Sequence, residues 1–313
     1  MADTTLNEYI GKRVFFVGIG GCSMSGLAKM LKWLGCEVAG SDRTRSHKTD
    51  ALAQDGIEIH IGHDGKNVEG AHLVVYSAAI AADNPERARA RELGIPEMER
   101  CDLIGLLMKK FGHSIAISGT HGKSTTTAML SKILVDCGLD PAVHIGGDYD
   151  YIGGSTRLGA KNVFVAEACE FHSSFLEMHP TVAIVLNIQE DHLDYYKDLA
   201  DIANAFRKFV GKVPPEGVFI GNGEDENVLA IMKDAACRGE TFGFAENCDW
   251  RPHGLTLDGE GRPSFTLTFH GEPVCEMTLR VAGQFNIMNA MAAMAAAHAL
   301  GADMQKAAAA LST

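Results

Sequence analysis

Gly119-Thr120-His121-Gly122-Lys123-Ser124-Thr125-Thr126-Thr127 follows the apolar run Ser114–Ile117 and leads into a helix-patterned segment from Thr125 to Val135. A glycine-rich turn between a buried strand and a helix lets backbone N–H groups, a helix N-terminus and a lysine ammonium converge on one anion. The ligand this predicts is a nucleoside triphosphate, and the fold is α/β. The generic phosphate loop has a glycine six residues before its lysine, where this chain has Ile117. The loop is therefore a shorter variant that opens at Gly119.

The surrounding composition is that of a globular protein of about two domains. The chain has 313 residues, 46% of them hydrophobic and 22% charged. Its formal net charge of −12 argues against nucleic acid as a partner, because phosphate backbones require surplus Lys and Arg. No apolar run reaches the roughly 18 residues of a membrane span. The eight cysteines include no Cys-x-x-Cys pair, and no secretory leader opens the chain, so reduced thiols and a cytoplasmic location are expected.

Upstream of the loop, strand-like Arg13–Gly18, helix-like Met24–Leu34 and strand-like Glu37–Ser41 form a βαβ pattern. Further strands are expected at Ile57–Ile61 and Leu73–Ser77, with a helix at Pro85–Leu93. This is the pattern of a doubly wound, Rossmann-like domain. Its first turn is Gly18-Ile19-Gly20-Gly21-Cys22-Ser23-Met24-Ser25-Gly26, in which Ser23 replaces the third glycine of the dinucleotide fingerprint. A dinucleotide, another nucleotide diphosphate or a merely tight turn all fit that reading. Asp42, His63 and Ser77 fall at or beyond the carboxyl ends of strands, where open α/β sheets bind ligands.

A helical stretch from Cys101 to Gly112 places the domain boundary near Leu107, giving domains at residues 1–107 and 108–313. The second reads as a P-loop-type mononucleotide-binding α/β domain. Strands are expected at Asn162–Glu167, Thr181–Ile188 and Val218–Gly221, and helices at Ser173–Met178, Asp201–Val210 and Glu224–Cys237. Period-two alternation from Trp250 to Val281 adds antiparallel strands, and a closing helix starts near Asn286. Glu167 ends an apolar strand and is placed to hold Mg²⁺. Asn187-Ile188-Gln189-Glu190-Asp191-His192-Leu193-Asp194 offers a histidine and three acids just past another buried strand.

Together these motifs resemble the Mur ligase family, most closely its alanine-adding members. The resemblance rests on Gly119–Thr126, on Gly18-Ile19-Gly20-Gly21 with Met24-Ser25-Gly26, on Gly40-Ser41-Asp42, and on Ser77-Ala78-Ala79-Ile80 with Asp83-Asn84-Pro85. It implies that ATP and Mg²⁺ activate the lactyl carboxylate of UDP-N-acetylmuramate as an acyl phosphate, which the amine of L-alanine attacks. Lys123, Glu167 and His192 would be catalytic, and Ser124, Glu167 and His192 would ligate metal. Gly119, Thr120, His121, Gly122, Lys123, Ser124, Thr125, Asn286 and Asn289 would bind ATP. Gly18, Gly20, Gly21, Ser23, Met24, Ser25, Asp42, His63, Ser77 and Arg157 would bind the UDP-sugar. The resemblance further implies a monomer or weak homodimer, and a third, amino-acid-binding domain that this chain is expected to lack, with ligation lost or slow as a result.

Phe285 departs from the family pattern, standing where many members carry histidine. Rival readings are a nicotinamide oxidoreductase, a folylpolyglutamate-synthase-like ligase, a muropeptide-recycling ligase of the same family, and a non-enzymatic UDP-sugar-binding module. The first leaves the second domain unexplained.

Overall fold

The computed structural model describes residues 5–313, which divide into two compact units. The first ends at Lys110 and also takes in Gly146–Asp148; the second holds the remainder. The break follows the helix Arg100–Met108, whereas the boundary read near Leu107 falls inside it.

In the first unit the elements are β1 (Arg13–Val17), α1 (Cys22–Trp33), β2 (Glu37–Asp42), α2 (His47–Gln54) and β3 (Glu58–Ile61), then β4 (Leu73–Tyr76), α3 (Pro85–Glu92), β5 (Glu97–Glu99) and α4 (Arg100–Met108). The five strands form a parallel sheet in the order β3-β2-β1-β4-β5. The chain reverses its direction of winding between β1 and β4, which opens a crevice at their carboxyl ends. Val14, Phe15, Phe16 and Val17 of β1 are fully buried because helices cover both faces of such a sheet.

The second unit begins with β6 (His113–Ser118), α5 (Lys123–Asp136), β7 (Ala142–Tyr149), β8 (Gly154–Arg157), β9 (Val163–Glu167) and β10 (Val182–Val185). It continues with α6 (Leu199–Val210), β11 (Val218–Asn222), α7 (Glu226–Met232) and β12 (Arg238–Phe242). The last elements are β13 (Trp250–Leu257), β14 (Pro263–Phe269), β15 (Glu272–Thr278), α8 (Gln284–Ala299) and α9 (Met304–Leu311). The sheet order is β15-β14-β13-β12-β11-β10-β6-β9-β7-β8. Pairing is parallel from β13 through β12, β11, β10, β6 and β9 to β7, and antiparallel in β13-β14-β15 and in β7-β8. α8 packs against α5, and its Ala290–Ala297 stretch is wholly buried. Methyl side chains allow that close approach, and a helix apolar all round is expected to sit inside a core.

Several expectations needed correction. The helix read at Ser173–Met178 is a 3₁₀ segment, Phe171–Glu177, broken where His172 and Ser173 take φ of +52° and +54°. The strand read at Thr181–Ile188 stops at Val185, which frees the following residues to form a loop. The helix read at Glu224–Cys237 ends at Met232, and Arg238–Phe242 forms a strand with too little apolar alternation to be recognised. Helices α2 and α9 and the β7-β8 hairpin are additional.

Candidate functional site

In the second unit β6 lies between β9 and β10, so the loop after β6 is flanked by the segments that leave both neighbours. Gly119 and Gly122 have φ of +136° and +90°, conformations open to glycine and strained for other residues. A Cβ on Gly119 would meet Leu186 Cβ at 3.0 Å and the Asn187 nitrogen at 3.1 Å. The loop is thus pressed against the β10 exit as well as bent.

Asn187 clasps this loop. Its Oδ1 accepts from His121 N at 2.8 Å, and its Nδ2 donates to His121 O at 3.0 Å. Thr120 Oγ1 accepts from Gln189 N at 3.0 Å. The 186–188 backbone is held in turn from β11 and α7: Asn222 Nδ2 donates to Leu186 O, Asp225 Oδ2 accepts from Ile188 N, and Asn227 Nδ2 donates to Ile188 O. The loop therefore rests on a preformed scaffold of side-chain to backbone hydrogen bonds.

Lys123 opens α5. Its Nζ donates to Gly119 O at 2.6 Å and lies 3.1 and 3.0 Å from the two carboxylate oxygens of Glu170. Glu170 is 2% exposed, so this charge pair is largely removed from water. The Tyr196 hydroxyl donates to the Glu170 carbonyl, and burial pushes that phenol above its ordinary range. Carboxylate and imidazole atoms of Glu170, Asp191 and His192 all lie within 4.8 Å of one another. Phe171 packs on the His192 ring at 4.7 Å, and His172 stacks on Tyr195 at 4.8 Å. His172, Ser173 and His192 all have positive φ, a concentration of backbone strain typical of ligand sites. The donor set suits a divalent cation: two carboxylates supply the oxygens that Mg²⁺ and Mn²⁺ prefer, and the imidazole adds a nitrogen ligand of the kind transition-metal ions take.

The other residues singled out from sequence fall as follows. Glu167 ends β9 beside Ile117 of β6, half-buried, but it is outside the Glu170 group. Ser124 and Thr125 are exposed in the first turn of α5. A cavity of about 560 Å³ is lined by His121, Gly122, Asn187, Asp225, Phe285 and Asn289, among others. Asn289 reaches it, whereas Asn286 turns back to donate to Ala282 O at 2.7 Å and is not part of its lining. Phe285 is 85% exposed at its rim. Arg157 stands on the edge strand β8, separated from β6 by β9 and β7, with its guanidinium on Asp140 Oδ1 and Pro141 O. Asp191 belongs to the 187–194 run and Glu170 follows Glu167 by three residues, whereas no sequence motif singles out Asp225. Its one local signal is the N-cap pattern Asp225-Glu226-Asn227 after a strand.

In the first unit, the Gly18 turn follows β1 at the winding reversal. Gly18 has φ +77°, and a Cβ there would touch Ile80 Cδ1 at 3.3 Å, so the turn and the segment after Ser77 lie side by side. Gly20 N donates to Asp42 Oδ2 at 2.9 Å, and Asp42 Oδ1 accepts from Thr44 N, so Asp42 braces the glycine turn itself. Gly21 caps α1, whose first turn carries Ser23, Met24 and Ser25; Met24 is buried, and Ser25 Oγ donates to Cys22 O. His63 follows β3 and is held through Nδ1 by buried Glu86 at 2.7 Å.

Comparison with known proteins agrees with this geometry. Residues 13–112 match the profile described as "Mur ligase family, catalytic domain", and residues 117–297 match "Mur ligase middle domain". A relative named UDP-N-acetylmuramate–L-alanine ligase from Acetivibrio thermocellus is 48% identical over 295 residues, covering 94% of this chain and 63% of the relative. One of the same name from Alkaliphilus metalliredigens is 42% identical, covering 95% and 65%. The chain thus spans less than two thirds of the length of these curated relatives. Among solved structures, the UDP-N-acetylmuramate:L-alanyl-gamma-D-glutamyl-meso-diaminopimelate ligase from Neisseria meningitides superposes with a TM-score of 0.85 at 28% identity, covering 96% of this chain and 98% of that one. A UDP-N-acetylmuramate-alanine ligase from Thermotoga maritima gives 0.81 at 29%, covering 96% and 68%. With its short glycine loop clasped by the β10 exit and both profiles matched in order, the chain belongs to the Mur ligase family.

Proposed function

We propose that this protein acts in the cytoplasm as an ATP-dependent ligase joining L-alanine to the lactyl carboxylate of UDP-N-acetylmuramate, a step of peptidoglycan synthesis. The observation that carries the reading is the meeting of Lys123 with Glu170, Asp191 and His192 beside the Gly119 loop, in a chain 42–48% identical to ligases of that name. Carboxylate activation by phosphoryl transfer needs positive charge around phosphate oxygens more than any covalent help from the protein.

Lys123 would exchange its Glu170 partner for ATP phosphate oxygens, with the Gly119–Ser124 amides at the same anion. Once Lys123 has left it, the Glu170 carboxylate would hold a divalent cation together with Asp191 and His192, while Glu167 and Ser124 would be ligands only as the family resemblance implies. A cation held there would supply neutralisation of the negative charge that builds up on phosphoryl transfer. Asn289 and the 560 Å³ cavity would take the nucleoside end of ATP, since an Asn amide both donates and accepts. The Gly18 turn, Asp42, His63 and Ser77 would hold the UDP-sugar, with Arg157 contributing to the sugar.

Calorimetric titration tests this. UDP-N-acetylmuramate is expected to bind at least about tenfold more tightly than UDP-N-acetylglucosamine, which lacks the lactyl carboxylate, and NADH is expected not to bind. Equal affinity for the two UDP-sugars refutes the proposal. The similarity to the Neisseria ligase supports a second reading, in which the nucleophile is a peptide amine; ADP release stimulated by tripeptide and not by L-alanine would select it.

A further inference from the structure

Glu86 lies in the first turn of α3 with no solvent exposure. Three side chains converge on its carboxyl group, two of them as donors. Ser41 Oγ donates to Oε2 at 2.6 Å, Asn67 Nδ2 donates to Oε1 at 2.8 Å, and His63 Nδ1 lies 2.7 Å from Oε2. The Ser41 carbonyl meanwhile accepts from Gly18 N and Ile19 N at 2.8 Å each, so one residue joins this cluster to the glycine turn. Two hydrogen-bond donors and the N-terminal end of a helix give this carboxylate its acceptor contacts.

A carboxylate has no hydrogen to give, and the Ser41 hydroxyl, though 3.1 Å from His63 Nδ1, directs its own hydrogen along the shorter 2.6 Å contact to Glu86. The hydrogen in the 2.7 Å contact therefore belongs to His63 Nδ1. Among the described residues no protein group takes up the other ring nitrogen, Nε2, and the His63 side chain is 19% exposed. In the neutral ring Nε2 is then a bare acceptor, standing just beyond the carboxyl end of β3 on the ligand-binding side of the sheet.

We infer that Glu86 is a positioning residue for a uridine nucleotide: by holding His63 as its Nδ1–H tautomer it presents Nε2 to the uracil imide N–H. The inference rests on the UDP-sugar reading above. Uracil carries a hydrogen at N3 where cytosine carries a lone pair, so an acceptor at Nε2 attracts the first base and repels the second. Glu86 touches no ligand itself; it acts through His63.

The test is ¹⁵N NMR of the histidine side chains of the whole chain at pH 8, with His63 assigned by its loss in His63→Gln, together with calorimetric Kd values for UDP, CDP and inorganic pyrophosphate. The wild-type protein is expected to show His63 as Nδ1–H and to prefer UDP over CDP by about tenfold or more. In Glu86→Met the His63 resonances are expected to shift toward Nε2–H and the base preference to fall to about threefold or less, with pyrophosphate binding unchanged. An Nε2–H signature in the wild type, or an unchanged UDP to CDP ratio in Glu86→Met, overturns the inference. If the variant fails to fold, the wild-type spectrum and base preference decide alone. Absence of UDP binding by the wild type refutes the UDP-sugar reading and the uracil role with it, while the spectrum still judges the Glu86 anchor.

Discussion

Severing the Lys123–Glu170 pair should destabilise the second unit unequally, depending on which partner is removed. Lys123→Met strands a carboxylate that is 2% exposed and whose only side-chain partner, among the described residues, is Lys123. Breaking a buried pair in this way costs about 3 kcal/mol. Glu170→Gln instead strands an ammonium whose side chain is 18% exposed and which keeps the Gly119 and Thr120 carbonyls at 2.6 and 3.3 Å. With two acceptors and some water left to it, Lys123 loses only about 1 kcal/mol. The difference of about 2 kcal/mol corresponds to roughly a thirtyfold ratio of unfolding constants. Urea denaturation in a Trp33→Phe background measures it, because the remaining tryptophan, Trp250, is fully buried in the second unit. The double variant should recover part of the Lys123→Met loss. Equal destabilisation by the two single changes, within about 0.5 kcal/mol, would refute the claim that Glu170 is the desolvated partner.

Gly119→Ala is expected to cost about 2–3 kcal/mol, from strain at φ +136° and contacts near 3.0 Å with Leu186 and Asn187. Gly138→Ala, at φ +78° with nothing within 4 Å, should cost only about 1–2 kcal/mol, and thermal melts of the pair check the ordering. Burial pushes the thiols of Cys36 and Cys275 up to about 11 and that of Cys101 up to about 12. The unfolded chain therefore releases these protons first, and stability should be intact below pH 9 and fall as pH rises toward 11–12, as denaturation midpoints in alkaline buffers would show. Phe285→Ala should leave the melting temperature almost unchanged because the ring is 85% exposed, but weaken ATP binding several-fold if the ring stacks on the base at the cavity rim. Equal affinity for ATP before and after the change removes Phe285 from the nucleotide site.

Features carried by neighbouring residues were legible in the chain. The Gly119 loop, the Gly18 turn, most strands of both sheets and the antiparallel addition after Trp250 follow from periodicity and from glycine at bends. Elements without a local pattern were not. Arg238–Phe242 lacks apolar alternation, and the Ala142–Tyr149 strand carries Gly146-Gly147 within it. The kink at His172 and Ser173 was equally hidden, since their positive φ is imposed by packing and runs against their own preference.

The sequence by itself determined the two α/β units, the glycine loop after β6 and the lysine beside it, because those depend on hydrogen-bonding geometry within a few consecutive residues. Only the tertiary structure decided the partners. Glu170 reaches Lys123 and Asn187 clasps His121 because β9 and β10 flank β6, and Glu86 meets His63 because α3 packs against the Gly65–Val68 turn that follows β3. Beyond neighbouring βαβ units, strand order arises from how crossover helices pack on the sheet, a free-energy balance over the whole core that no short run of residues encodes.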